Sequence, residues 1–103
     1  MEKTGEQIFN KLGCTSCHQS DGTGRGPSLV GAYGKEEELK SGEKRLVDEA
    51  FIRQAIINPN SVVLKNYPPI MPTFRGQINE EQVLQLIAYV KSLASEERNS
   101  NGK

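Results

Sequence analysis

The chain has 103 residues, room for one compact domain, yet only 35% are hydrophobic and the mean hydropathy is −0.58, so its own side chains supply a thin core. Thirteen Lys and Arg balance thirteen Asp and Glu, which leaves no basic excess of the kind nucleic-acid binding demands. No apolar run approaches a membrane span, and the opening MEKTGEQ has no signal-peptide core, so the chain is expected to be soluble as it stands.

In chain order, Thr4 with Gln7 reads as a capping box that starts a first helix. Ile8, Phe9 and Leu12 form its apolar face, and Gly13 stops it. The stretch 20–34 is rich in glycine and reads as loop. The run KEEELKSGEKR reads as a charged, solvated surface, and no strand pattern is evident anywhere. Asp48 caps a second helix carrying Phe51, Ile52, Ala55 and Ile56, which ends near Asn58 because Pro59 disfavours helical geometry before it. Residues 61–65 form a short helix or an extended segment. YPPIMPTF is irregular, since Pro68, Pro69 and Pro72 remove donors and fix φ. Asn79 and Gln82 cap the last helix, whose stripe is Val83, Leu86, Ile87, Val90 and Leu93. The expected organisation is a single domain, 1–103, with a folded core over 4–93 and a polar, frayed tail over 94–103.

The chemistry concentrates in GCTSCHQSDGTG, which holds both cysteines and the single histidine. A structural zinc site wants four ligands, and Cys14, Cys17 and His18 exhaust the Cys and His of the chain. A thioredoxin-like dithiol follows a strand, whereas this motif follows a helix. A plain disulfide in so small a loop is strained. C-x-x-C-H is also the signature of covalent haem attachment: two thiols add across the two vinyl groups, and the next residue offers an imidazole to the iron. That reading fits best. A second axial ligand cannot be histidine, and both thiols are used. Met71, held among prolines in YPPIMPTF, is the remaining soft donor away from the chain end; its bland alternative is a gap-filler under a loop. His/Met ligation closes the coordination sphere and raises the reduction potential, which points to electron transfer and away from catalysis at the iron.

Taken together, these features resemble the class I cytochromes c from about Thr4 to Leu93. The resemblance implies an all-α fold, three main helices and loops around one haem c attached through two thioethers. It implies a close crossing of the terminal helices at Gly5 and Phe9 against Leu86 and Tyr89. It also implies that Pro27, in GPSLVG, offers its carbonyl to Nδ1–H of His18. The tryptophan that some members place near a haem propionate is absent; Tyr33, Arg53 and Tyr67 are candidates to serve groups near the haem by hydrogen bonding, the alternative being ordinary core and surface residues. The block from Asp48 to Leu93 further resembles the cytochrome c domain fused to subunit II of caa-type haem–copper oxidases. There the domain passes electrons to a binuclear copper centre and is tethered to the membrane, although the copper-binding and anchor segments of that subunit are absent here and Asn66 stands where that group often has glycine.

The expected function is therefore electron transfer within such an oxidase; the alternative is a free cytochrome c that shuttles between redox partner proteins. By itself the domain is read as a monomeric carrier, not an enzyme. An enzyme or gas sensor in which Met71 leaves the iron is a third possibility, against which stands the lack of any evident distal acid or base. Haem attachment in this family takes place outside the cytoplasm, which implies the periplasm or the outer face of the membrane. An exposed haem edge framed by Thr15, Ser16 and Ile70 is the expected docking patch.

Overall fold

The computed structural model describes residues 1–19 and 22–101, the side chains of 95–101 excepted. Three helices form the frame: α1 (Glu2–Lys11), α2 (Glu49–Ile57) and α3 (Glu80–Asn101). Between α1 and α2 lies an antiparallel hairpin of β1 (Glu36–Glu38) and β2 (Lys44–Leu46), with Glu36 opposite Leu46 and Glu38 opposite Lys44.

The first helix starts earlier than Thr4. Met1 occupies the N-cap without a side-chain cap bond, and its carbonyl already accepts from Gly5 N at 2.9 Å. That upstream turn leaves Thr4 and Gln7 inside the helix, where they no longer act as a capping box. Glu2 in the first turn suits the positive end of the helix dipole. The stop is as expected: Gly13 takes φ 79°, a left-handed geometry that costs a side-chain-bearing residue about 1–2 kcal/mol.

Helix α1 lies across α3 at Gly5. A Cβ there would collide with the Gln85 carbonyl and come within 2.9 Å of Tyr89 Cβ, so the two backbones meet because this residue has no side chain. Phe9 packs on Tyr89 with ring centroids 5.2 Å apart. The α3 stripe is buried as its spacing requires: Val83, Leu86, Ile87, Val90 and Leu93 are each under a tenth exposed. Asn79 and Gln82 form the reciprocal cap, Gln82 N donating to Asn79 Oδ1 at 2.8 Å and Asn79 N to Gln82 Oε1 at 2.9 Å. The helix backbone runs on past Leu93 to Asn101, where the composition had suggested fraying; residues 102–103 of that tail lie outside the described residues.

Asp48 caps α2 through Oδ1, which accepts from Phe51 N at 2.8 Å. The helix ends at Ile57, followed by a 3-10 turn over Pro59–Val62. The hairpin corrects the reading of KEEELKSGEKR as featureless surface. Its strands pair opposite charges, Glu37 across from Arg45 and Glu38 across from Lys44. Gly42, at φ 93°, makes the turn. Leu39 and Val47 anchor it in the core at 4% and 6% exposure. The other edge of β1 and the residues just after it pair in turn with the chain ahead of Tyr67: Lys40 N donates to Val63 O at 2.9 Å and Lys65 N to Glu38 O at 3.0 Å.

Candidate functional site: a cleft between Cys14, His18 and Met71

The turn after α1 sets the motif. From the left-handed Gly13 the chain tightens into a 3-10 turn over Cys14–Ser16, and the N–H groups of Cys17 and His18 both donate to Cys14 O, at 3.3 and 2.9 Å. One such turn brings positions i, i+3 and i+4 onto one face, so Cys14, Cys17 and His18 present together. Both cysteines are free thiols and half-buried. Burial pushes the Cys14 thiol above its ordinary range, partly offset by a backbone hydrogen bond, with Cys17 adding to the rise. Among the described residues no group of three or more His, Cys, Asp or Glu converges as a metal cluster.

The glycine-rich loop then folds back over this turn. Gly26 N donates to Cys17 O at 3.1 Å. A Cβ on Gly24 would strike the Cys17 carbonyl, and one on Gly26 would sit 2.9 Å from His18 Cε1. Because both positions lack a side chain, the backbone reaches the imidazole, and His18 Nδ1 lies 2.8 Å from Pro27 O. A carbonyl only accepts, so Nδ1 carries the proton and Nε2 keeps its lone pair for a metal.

His18 and Met71 line the same space. Two adjoining cavities, of about 350 and 380 Å³, share walls that include Leu12, Cys14, Leu29, Phe51, Tyr67 and Phe74 as well as these two residues. Their walls are mainly apolar, and each lies within the roughly 300–1,000 Å³ typical of ligand pockets. Cys17 is on the wall of the first cavity only. Two thiols, an imidazole with its distal nitrogen free and a thioether around an apolar cleft are the donor set a covalently held haem requires. Cys14 and Cys17 would form the thioethers, while His18 and Met71 would take the iron.

The other sequence candidates divide. Tyr67 lines both cavities. Tyr33 and Arg53 line neither. Tyr33 packs against the core with Lys91 Nζ 5.3 Å above its ring. Arg53 is taken up by Glu80, 2.5 Å away, an ion pair that raises the guanidinium pKa and lowers that of the carboxyl through their hydrogen bond. Arg53 thus stands on the outer side of α2, facing the first turn of α3. Of the expected docking frame, Ser16 and Ile70 line the first cavity and Thr15 does not. Sequence reasoning missed Gly24 and Gly26, whose alternation just before Pro27 was the available signal. It also missed Leu29, Leu64 and Phe74 as cleft walls, for which isolated apolar residues in loops give no periodic cue.

A helical frame with both thiols, the imidazole and the thioether turned to one apolar cleft defines an electron-transfer protein built around a covalently attached haem. Residues 2–94 match the family model described as Cytochrome c, and the chain belongs to the cytochrome c family. It carries one haem c through its two cysteines. It is 31% identical to cytochrome c2 iso-1 of Magnetospirillum molischianum over 96 residues, which covers 82% of this chain and 92% of that protein. It is 30% identical to cytochrome c2 iso-1 of Magnetospirillum fulvum, with 82% and 93% covered.

Proposed function

We propose that this protein is a periplasmic electron carrier of the cytochrome c2 kind, with His18 and Met71 as axial ligands, that passes single electrons between partner proteins. The observation that carries it is the shared cleft: His18, oriented by Pro27 O, and Met71 line the same two cavities. When bound, the haem supplies a reversible ferric–ferrous couple. The protein's residues do the rest. Pro27 holds the imidazole in the ligating tautomer. A neutral thioether at Met71 favours the reduced iron. Phe51, Phe74 and Leu29 keep water from the cleft, and Pro68, Pro69 and Pro72 limit how far the Met71 loop can rearrange when charge changes.

The relatives support a separate carrier over a domain of oxidase subunit II. Both are named cytochrome c2, and the matched region makes up nearly all of their length. The oxidase reading retains one support, the likeness of the Asp48–Leu93 block to that domain. Fractionating source cells and staining for haem separates the two. A soluble haem band near 11.4 kDa supports the carrier; a much larger band confined to membranes replaces it with the oxidase domain. The ligand assignment has its own test. Oxidised protein should show a sulfur-to-ferric-iron charge-transfer band, lost in Met71→Ala while the haem stays attached. A wild-type spectrum without the band removes Met71 as ligand.

A further inference from the structure

The Met71 loop holds itself only weakly, through Ile70 N donating to Pro68 O at 2.9 Å. Pro68, Pro69 and Pro72 offer no N–H, and residues 68–74 form neither helix nor strand. Its position therefore depends on where its two ends are fastened. Upstream it is pinned at Leu64 and Lys65 by the pairing with β1. Downstream, the first side chain after Met71 and the donorless Pro72 is Thr73.

Thr73 is fastened to the end of α2. Its Oγ1 donates to Ile57 O at 2.5 Å, and the next residue, Phe74, donates its N–H to Ile56 O at 3.0 Å. These are the carbonyls that a helix leaves without an internal partner at its C-terminus. Pro59 ends the helix there, and the Ser61 N–H that a longer helix would aim at Ile57 goes to Asn58 O instead. The same Thr73 oxygen accepts from Arg75 N at 3.1 Å, and Thr73 O accepts from Gln77 Nε2 at 3.2 Å. The hydroxyl thus locks its own rotamer between two elements, two residues from the thioether.

We infer that Thr73 is a positioning residue for Met71: its hydroxyl ties the loop to the exposed carbonyl end of α2 and so sets how readily the thioether leaves the iron. This rests on the assignment of Met71 as axial ligand. The bond is exposed to solvent, which places it at the low end for a hydrogen bond and corresponds to about a two- to fivefold change in the detachment equilibrium.

The test uses oxidised holoprotein titrated with imidazole, a competing iron ligand, and reads the loss of the charge-transfer band. Thr73→Val keeps the shape and removes the hydroxyl; Thr73→Ser keeps the hydroxyl; Thr73→Ala serves if Val folds poorly. Thr73→Val or Thr73→Ala should lose the band at two- to fivefold lower imidazole, and Thr73→Ser should titrate like wild type. Melting curves run in parallel: a lowered melting temperature with an unchanged imidazole midpoint would make Thr73 merely structural and overturn the inference. So would a Ser variant that behaves like Val. If the wild-type protein shows no band, or Met71→Ala keeps it, the ligand assignment itself fails, an outcome distinct from a band present and indifferent to Thr73.

Discussion

The two sides of the cleft are held in different ways. The frame behind His18 rests on the crossing of α1 and α3, where Gly5 lies on Gln85 and Phe9 packs on Tyr89. The Met71 side is a proline-rich loop fastened by a few hydrogen bonds, at Val63 and Lys65 upstream and at Thr73 and Phe74 downstream. Close packing is stiff and intolerant of added atoms; a loop hung on hydrogen bonds yields locally while the rest of the fold stays intact. Under the proposed ligation, one molecule combines a fixed ligand with one whose hold can be adjusted.

Haem removal is the severest challenge to this contrast. Without haem the apolar walls of the cleft, Leu29, Phe51 and Phe74 among them, lose their packing partner, a loss of several burials at about 1.5–3 kcal/mol each against a whole domain stability of about 5–15 kcal/mol. The haem-free chain should show no cooperative thermal transition by calorimetry. Any residual helix in its circular dichroism should come from α1 and α3; a sharp transition would mean the frame stands without the cleft.

Substitution at the crossing comes next. Gly to Ala in an exposed helix gains about 1 kcal/mol. At Gly5 the sign should reverse, because the new methyl meets the Gln85 carbonyl, with a loss of about 1–3 kcal/mol. Denaturant unfolding of Gly5→Ala, with the charge-transfer band unchanged below the transition, would confirm that the crossing governs stability and not ligation. A stabilised variant would break the contrast.

On the loop side, Ile70 is 45% exposed at the edge of the first cavity. Ile70→Asp should leave stability within about 0.5 kcal/mol. It should slow electron delivery to a partner protein in stopped-flow measurements, without spectral change. Unaltered kinetics would remove this patch from the docking surface.

The smallest effect belongs to the exposed Arg53–Glu80 pair. The hydrogen bond from Arg53 lowers the Glu80 pKa, so its stabilisation is present above the unfolded carboxylate value of about 4.3 and is lost as pH falls through the folded one. Glu80→Gln should melt slightly lower at pH 7 and match wild type in acid. A difference that grows toward low pH would show the sign to be wrong.

The helices and the attachment motif were legible because they obey short-range rules. Five apolar residues at helical spacing give α3, Asp48 and Asn79 give caps, and five consecutive positions hold every thiol and imidazole. The hairpin was not, because its pairing code is a block of glutamates answering a block of Lys and Arg across Ser41–Gly42, which a hydrophobic pattern search passes over. The α1 start was misplaced because the helix begins with no side-chain cap at all: Met1 O takes the first helical bond, from Gly5 N, so the chain is already helical ahead of Thr4. Arg53 and Tyr33 could not be placed from sequence because assigning them to the haem needs the direction of each side chain, and in the structure Arg53 meets Glu80 and Tyr33 meets Lys91, on a helix far along the chain.

The contact between Gly5 and Gln85 also bears on how the molecule is made. It joins points about 80 residues apart, and closing so long a loop costs about 4 kcal/mol in chain entropy before any packing returns it. Cys14, Cys17 and His18 are set by a local turn, whereas the helix that closes over them must dock from the far end of the chain. The attachment residues therefore stand open to whatever delivers the haem until that distant helix docks, and the final helix closes the door behind it.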